Sequence, residues 1–180
     1  MSSPRERAVD AAIDLLGTEG LRALTHRRVD EAAGLPPGST SNYFRTRQAL
    51  LRGVADGILG RELAGMGAAF SPRSADDLVD AFVALLERTT EEQRTLTSAR
   101  LALFMEASHE PTLRETLGQG RSMLETAVRS MLADLGARDP ASSARALMAC
   151  AEGLILHRVA RHDDAAIRPV VDLVVRAALA

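Results

Sequence analysis

Two short helical stretches joined by Leu35-Pro36-Pro37-Gly38 constrain this chain more than any other feature. Thr25 is a good N-cap for the first stretch, because a side-chain oxygen there accepts from the free N–H groups of a helix start. Val29, Ala32 and Ala33 point inward, and Gly34 supplies the C-terminal stop. Proline suits the connection, since the N–H it lacks has no intrahelical partner in a first turn. The second stretch runs from Ser39 to Phe44. Helix, tight turn, helix is the helix-turn-helix plan.

The flanks are helical too. From Arg5 to Leu16 the residues Ala8, Val9, Ala12, Ile13, Leu15 and Leu16 recur at three and four, the spacing of one helix face, until Gly17 and Gly20. Thr46 caps a long fourth helix, whose apolar face is Ala49, Leu50, Val54, Ile58 and Leu59 and which ends at Gly65 and Gly67. Beyond Pro72 the breaks fall at Pro111, at Gly136 to Pro140 and at His162 to Asp164, which places helices near 74–89, 91–108, 112–135, 141–161 and 164–179. Gly118 and Gly120 are positions where the third of these kinks or splits. Abundant Ala and Leu with 3% aromatics agree with helix rather than sheet. The expected fold is all-α: a three-helix helix-turn-helix head over 1–52 and a helical body over 53–180, about nine helices in all.

The charge distribution limits the partners. Net charge is −2, which argues against a surface that binds nucleic acid everywhere. Residues 1–52 nevertheless carry eight Arg against six acids, and no acid occurs between Glu31 and Asp56, a window that holds Arg45, Arg47 and Arg52. Such a window suits a polyanion, or a weakly charged surface. No run of apolar residues is long enough to span a bilayer, and the first residues lack a signal-peptide core, so a cytoplasmic protein without a membrane partner is expected. The one cysteine, Cys150, has no disulfide partner or companion ligands, and reads as a small buried core residue.

Leu24-Thr25-His26-Arg27-Arg28-Val29-Asp30-Glu31-Ala32-Ala33-Gly34-Leu35, followed by Gly38-Ser39-Thr40-Ser41-Asn42-Tyr43-Phe44-Arg45-Thr46-Arg47-Gln48-Ala49-Leu50-Leu51, resembles the DNA-binding head of the tetracycline-repressor (TetR) family. The Thr cap, the Ala-Gly-apolar turn, the Gly before the third helix, the Tyr-Phe end and the basic-x-Ala-Leu opening of helix four are in register from about Arg5 to Ile58. The resemblance implies a bacterial, cytoplasmic regulator, nucleoid-associated when bound, that grips a palindromic double-stranded DNA operator as a homodimer. Repression released by a small apolar or amphipathic effector is the family's commoner mode. Asp30 departs from the pattern, which has a small apolar residue there because the side chain faces the third helix; Asp30 tilts out or pairs with an Arg. Thr40 and Ser41 are shorter than in many relatives.

A third helix in the major groove reads bases through side chains near its N-terminal end. Thr40, Ser41 and Asn42 are the expected readers, Asn42 by a bidentate pair with adenine. Thr25, Arg27, Ser39, Tyr43, Thr46 and Arg47 are expected phosphate contacts, with Arg28 and Arg45 as auxiliaries. His26 is a solvated surface residue or a further auxiliary.

In the body, an effector pocket would draw on Phe82, Leu86, Phe104, Met105, Met123 and Leu124, with Arg100, Glu106 or His109 as polar contacts; Met and Phe at helical spacing are more often simply core. The last two helices are apolar on more than one face. Leu147, Met148, Ala151, Leu154 and Ile155, with Ile167, Val171, Val174 and Val175, are the expected dimer interface, and Cys150, Gly153, Leu156 and Val159 form a second stripe. A body that serves only dimerisation or a protein partner is the alternative. An all-α enzyme is the remote one: Glu106 and His109 stand at i and i+3 as in half of a di-iron site, but Glu152 and His157 have the wrong spacing for the other half, so no metal, cofactor or catalytic residue is expected.

Overall fold

The computed structural model describes residues 2–65 and 71–180, so the expected helix stop at Gly67 lies outside the described residues. Among the described residues there are nine helices and no strand: α1 (Pro4–Glu19), α2 (His26–Ala33), α3 (Ser39–Tyr43), α4 (Arg47–Gly65), α5 (Ala75–Thr90), α6 (Arg94–Ala107), α7 (Pro111–Asp134), α8 (Pro140–Ala160) and α9 (Arg168–Leu179). The chain divides into two compact units, Met1–Gly65 with Arg94–Gln119 and Met66–Gln93 with Gly120–Ala180. Packing thus groups α4 and α6 with the first three helices, whereas the sequence reading drew its boundary after residue 52.

In the first unit, local chemistry fixes each helix start. Ser3 and Glu6 form a reciprocal capping box on α1, with Pro4 in its first turn. Thr25 accepts from Arg28 N–H on α2, and Thr46 accepts from Ala49 N–H at the head of α4. The core is Ala12, Ile13, Leu16, Leu24, Val29, Phe44, Leu50, Val54 and Ile58, joined by Leu103 of α6 and Leu113 of α7. α1 lies so close to α6 that a Cβ at Gly17 would sit 2.1 Å from the Thr95 carbonyl oxygen. Arg100 of α6 and Glu62 of α4 form an ion pair at 3.2 Å, and burial pushes the Glu62 carboxyl up against the pull of Arg100.

In the second unit, α9 packs on both α5 and α8. Leu78, Phe82 and Leu86 of α5 share the interior with Leu147 and Ile155 of α8 and Val171 and Val175 of α9. Arg168 pairs with Asp80 at 2.5 Å, Arg176 with Asp76 at 2.8 Å, and the Ser143 hydroxyl donates to the Ala178 carbonyl at 2.7 Å.

Two expectations about boundaries change. α9 starts at Arg168 rather than 164: His162 is left-handed (φ 54°), Asp163 accepts from Ala165 N–H in a local turn, and Pro169 fits only a first turn. α7 runs unbroken through Gly118 and Gly120, since a lone glycine weakens a helix without obliging it to bend. Cys150 is half-buried on α8 rather than core, and partial burial pushes its thiol pKa up.

Candidate nucleic-acid interface

The turn between α2 and α3 is built on two left-handed glycines, Gly34 (φ 61°) and Gly38 (φ 88°), a backbone region that side chains resist. Gly38 caps α3 without a side-chain hydrogen bond of its own. A buried carboxylate does that work. Asp30, 3% exposed on α2, accepts from Gly38 N–H through Oδ2 at 2.7 Å, and from Thr40 N–H and the Thr40 hydroxyl through Oδ1 at 2.7 and 2.5 Å. Burial alone would raise its pKa, but the Thr40 and Gly38 donors, with a smaller contribution from His26, outweigh it and hold the carboxyl below the usual range.

Asp30 therefore neither tilts out nor pairs with an Arg. It faces the third helix as the family's residue does, and remains charged because three donors converge on it. Thr40 is corrected at the same time: it is fully buried with its hydroxyl spent on Asp30, so it does not stand on the outer face of α3. His26 is also not a solvated surface residue. Its Nε2 lies 2.6 Å from the Phe44 carbonyl oxygen, and since a carbonyl only accepts, Nε2 carries the hydrogen.

The outer face of α3 holds Ser41, Asn42 and Tyr43, all exposed, with Ser39 half-buried and its hydroxyl donating to the Pro36 carbonyl. Among the described residues the side chains of Ser41 and Asn42 have no hydrogen bond within the chain, which leaves their polar atoms available. Phe44 is core and lies under the Arg5 guanidinium, 5.3 Å from the ring centroid.

The expected phosphate contacts divide by what their side chains already do. Arg45 is exposed without a hydrogen bond or ion pair among the described residues, and Thr25 and Thr46 sit exposed at helix starts. Arg27 pairs with Glu31 at 2.9 Å and Arg28 with Glu19 at 2.8 Å, surface pairs that DNA could exchange at little cost. Arg47 is exposed but engaged: its two terminal nitrogens donate to the Leu24 and Leu21 carbonyls at 2.7 and 3.0 Å, tying α4 to the loop before α2.

The expected pocket residues are drawn from both units. Arg100, Phe104, Met105 and His109 belong to the first unit, and Phe82, Leu86, Met123 and Leu124 to the second. Phe82 and Leu86 are core, whereas Met105 (73% exposed) and Met123 (55%) point to solvent. Arg100 is engaged with Glu62, although its buried Nε has no hydrogen-bond partner among the described residues. Glu106 and His109 close the C-terminal end of α6, and among the described residues no three His, Cys, Asp or Glu side chains cluster as metal ligands would.

Most of the expected dimer stripe lies inside the single chain. Leu147, Met148, Ile155, Ile167, Val171 and Val175 are buried within the chain, and Ala151, Leu154 and Val174 are half-buried. The exposed apolar residues lie on the opposite faces: Ala146, Ala149 and Leu156 on α8, and Val170, Leu173 (69% exposed) and Ala177 on α9. Leu156 belongs to the second stripe visible in the sequence. Which of two apolar stripes is covered depends on where α5 packs, and spacing within one helix carries no such information.

An all-α chain with a polar-faced third helix on a two-glycine turn and a second helical unit has the build of a helix-turn-helix DNA-binding regulator. Residues 8–54 match the family described as bacterial regulatory proteins, tetR family, and residues 73–180 match the tetracyclin repressor-like C-terminal domain, so the chain belongs to the TetR family. The HTH-type transcriptional regulator BetI of Rhizobium meliloti (strain 1021) is 29% identical over 117 residues, a match that covers 63% of this chain and 56%, little more than half, of that relative. A transcriptional regulator from Rhodococcus sp. Rha1 has the same fold, with a TM-score of 0.85 at 21% identity over 99% of this chain and 96% of that one. A TetR-family member from Streptomyces coelicolor A3 aligns with a TM-score of 0.78 at 25% identity over 99% of both chains. The multidrug binding protein EbrR complexed with imidazole aligns with a TM-score of 0.73 at 26% identity over 98% of this chain and 89% of that one. No helix among the described residues is long and apolar enough to cross a membrane.

Proposed function

We propose that this chain is a cytoplasmic transcriptional repressor that binds a palindromic operator as a homodimer and is released by a small apolar or amphipathic effector. The observation that carries the DNA reading is the outer face of α3, where Ser41 and Asn42 stand exposed and unengaged on a helix fixed from behind by Asp30. Asn42 suits an adenine edge, and Ser41 either donates or accepts. Tyr43, Arg45, Thr25 and Thr46 would hold phosphates, with Arg27 and Arg28 as exchangeable additions. The exposed apolar stripes of α8 and α9 suit self-association into a four-helix bundle with a second copy.

The effector reading is supported by the names of EbrR in its imidazole and ethidium complexes, one at 26% and one at 23% identity. A body without a ligand is favoured instead by Phe82 and Leu86, which already fill the core of their unit. Selection from a random duplex library, followed by titration at several salt concentrations, tests the DNA reading. Enrichment of a palindrome with affinity falling steeply in salt is expected, and a flat salt response overturns it. A thermal-shift screen with cationic dyes and apolar amines separates the two readings of the body, because a state-selective ligand stabilises by mass action.

A further inference from the structure

We propose that Asp30 is a specificity-determining positioning residue: from α2 it fixes the start of α3 and removes Thr40 from the reading surface, so that Ser41 and Asn42 read sequence without it. This rests on the DNA-binding reading above. α3 has five residues, too few to hold a helical conformation by itself. Its start is held by the three hydrogen bonds to the Asp30 carboxylate, and its end by His26 Nε2 donating to the Phe44 carbonyl. Asp30 and His26 are four residues apart, hence on one face of α2, so one helix face grips both ends of the other. Two fixed ends leave α3 no freedom to roll about its axis, and roll decides which side chains meet base edges. Because Thr40 is fully buried with both its hydroxyl and N–H on one carboxylate oxygen, the roll that lets Thr40 read DNA would break both bonds. The carboxylate also takes the Gly38 and Thr40 N–H groups at the start of α3, and Ser39 N–H bonds the Pro36 carbonyl, which favours a phosphate at Arg45 and the start of α4 instead.

The test compares wild type, Asp30→Ala, Asp30→Asn, Thr40→Ser and Thr40→Val in two measurements. The first is amide exchange at Thr40 and Asn42 without DNA; the second is duplex selection from a random library, followed by the affinity ratio between the selected duplex and single-base-pair variants of it. Thr40→Val keeps the two N–H bonds to Asp30 and is expected to select the same sequence as wild type, because position 40 does not face DNA, with a smaller loss of the ratio than Asp30→Ala. Thr40→Ser is expected to keep the ratio within about twofold, since it retains the hydroxyl. Asp30→Ala is expected to lose about tenfold or more of the ratio, the discrimination of one good base contact, and to exchange the Thr40 amide about tenfold faster. Asp30→Asn keeps one acceptor oxygen and is expected to fall between, which keeps the proposal testable if the alanine variant does not fold. A selected sequence that changes with Thr40→Val overturns the proposal, as does a folded Asp30→Ala that weakens all duplexes equally or none. If wild type selects no duplex, the DNA reading fails and the specificity role with it, while amide exchange still reports whether Asp30 holds α3.

Discussion

One oxygen of Asp30 accepts both the hydroxyl and the backbone N–H of Thr40, at 2.5 and 2.7 Å, while its other oxygen takes Gly38 N–H. Removing the carboxylate leaves three donors without their partner, two on the buried Thr40 and one on the exposed Gly38. Asp30→Ala is therefore expected to lower the unfolding free energy by about 2–4 kcal/mol at neutral pH, given about 1.5–3 for a hydrogen bond to a charged group and incomplete additivity. Urea melts monitored by circular dichroism measure it.

The same site has a definite pH sign. The folded-state pKa of Asp30 is depressed, so its contribution is fully present above the unfolded value of about 3.9 and is lost as pH falls through the folded value. The stability gap between wild type and Asp30→Ala should be constant from pH 7 down to about 5 and narrow below about 4. Melts in a pH series check this, and a gap that widens on acidification contradicts it.

Glycines on α4 separate close packing from mere permissiveness. A Cβ at Gly53 would lie 2.3 Å from Phe44 Cε1 and 2.8 Å from Cζ, and the ring is buried beneath Arg5. Gly60, on the same helix, has nothing within 4 Å among the described residues. Gly53→Ala should destabilise by about 1–3 kcal/mol through overpacking and, by displacing Phe44, weaken operator binding too. Gly60→Ala should be neutral or stabilising by up to about 1 kcal/mol through helix propensity. Thermal melts of the two variants provide the comparison.

The exposed stripes on α8 and α9 yield a prediction about assembly. Leu156 and Leu173 are exposed in the single chain, so a charge there leaves the fold intact but cannot be buried against a second copy. The double variant Leu156→Glu, Leu173→Glu should keep its helical circular dichroism and run as a monomer in light scattering at micromolar concentration, where wild type runs as a dimer. A wild-type monomer would exclude the dimer.

What was legible in the sequence follows the range of the interaction. Caps and stops depend on neighbours three or four residues apart, and Thr25, Gly34 and Thr46 sit at their helix ends as expected. Asp30 and Thr40 are ten residues apart across a turn, and the sequence marked the anomaly at Asp30 without its partner. An acid eight residues before Gly38 and ten before Thr40 is a signal that could have found the pair, because free N–H groups at a helix start attract a carboxylate. The long-range packing of α5 against α8 and α9, which selects the covered stripe, has no such local sign.

Arg45 and Arg47 flank the start of α4, and the sequence reading ranks Arg47 as a phosphate contact and Arg45 as an auxiliary, but their side chains differ in what they already hold. Arg47 donates to the Leu24 and Leu21 carbonyls, whereas Arg45 is exposed and without a partner among the described residues. Each phosphate contact contributes about 0.9 to the slope of log affinity against log salt. Arg45→Ala should therefore reduce that slope by about two for a dimer with two heads, with little change in stability. Arg47→Ala should leave the slope nearly unchanged and cost about 1–2 kcal/mol of stability, because two loop carbonyls lose a charged donor. Salt titrations and urea melts on the two variants give four numbers. A lowered melt together with a reduced slope for Arg47→Ala would mean that its guanidinium leaves the loop and takes a phosphate when DNA arrives, whereas an unchanged melt would mean that it does not stabilise the loop.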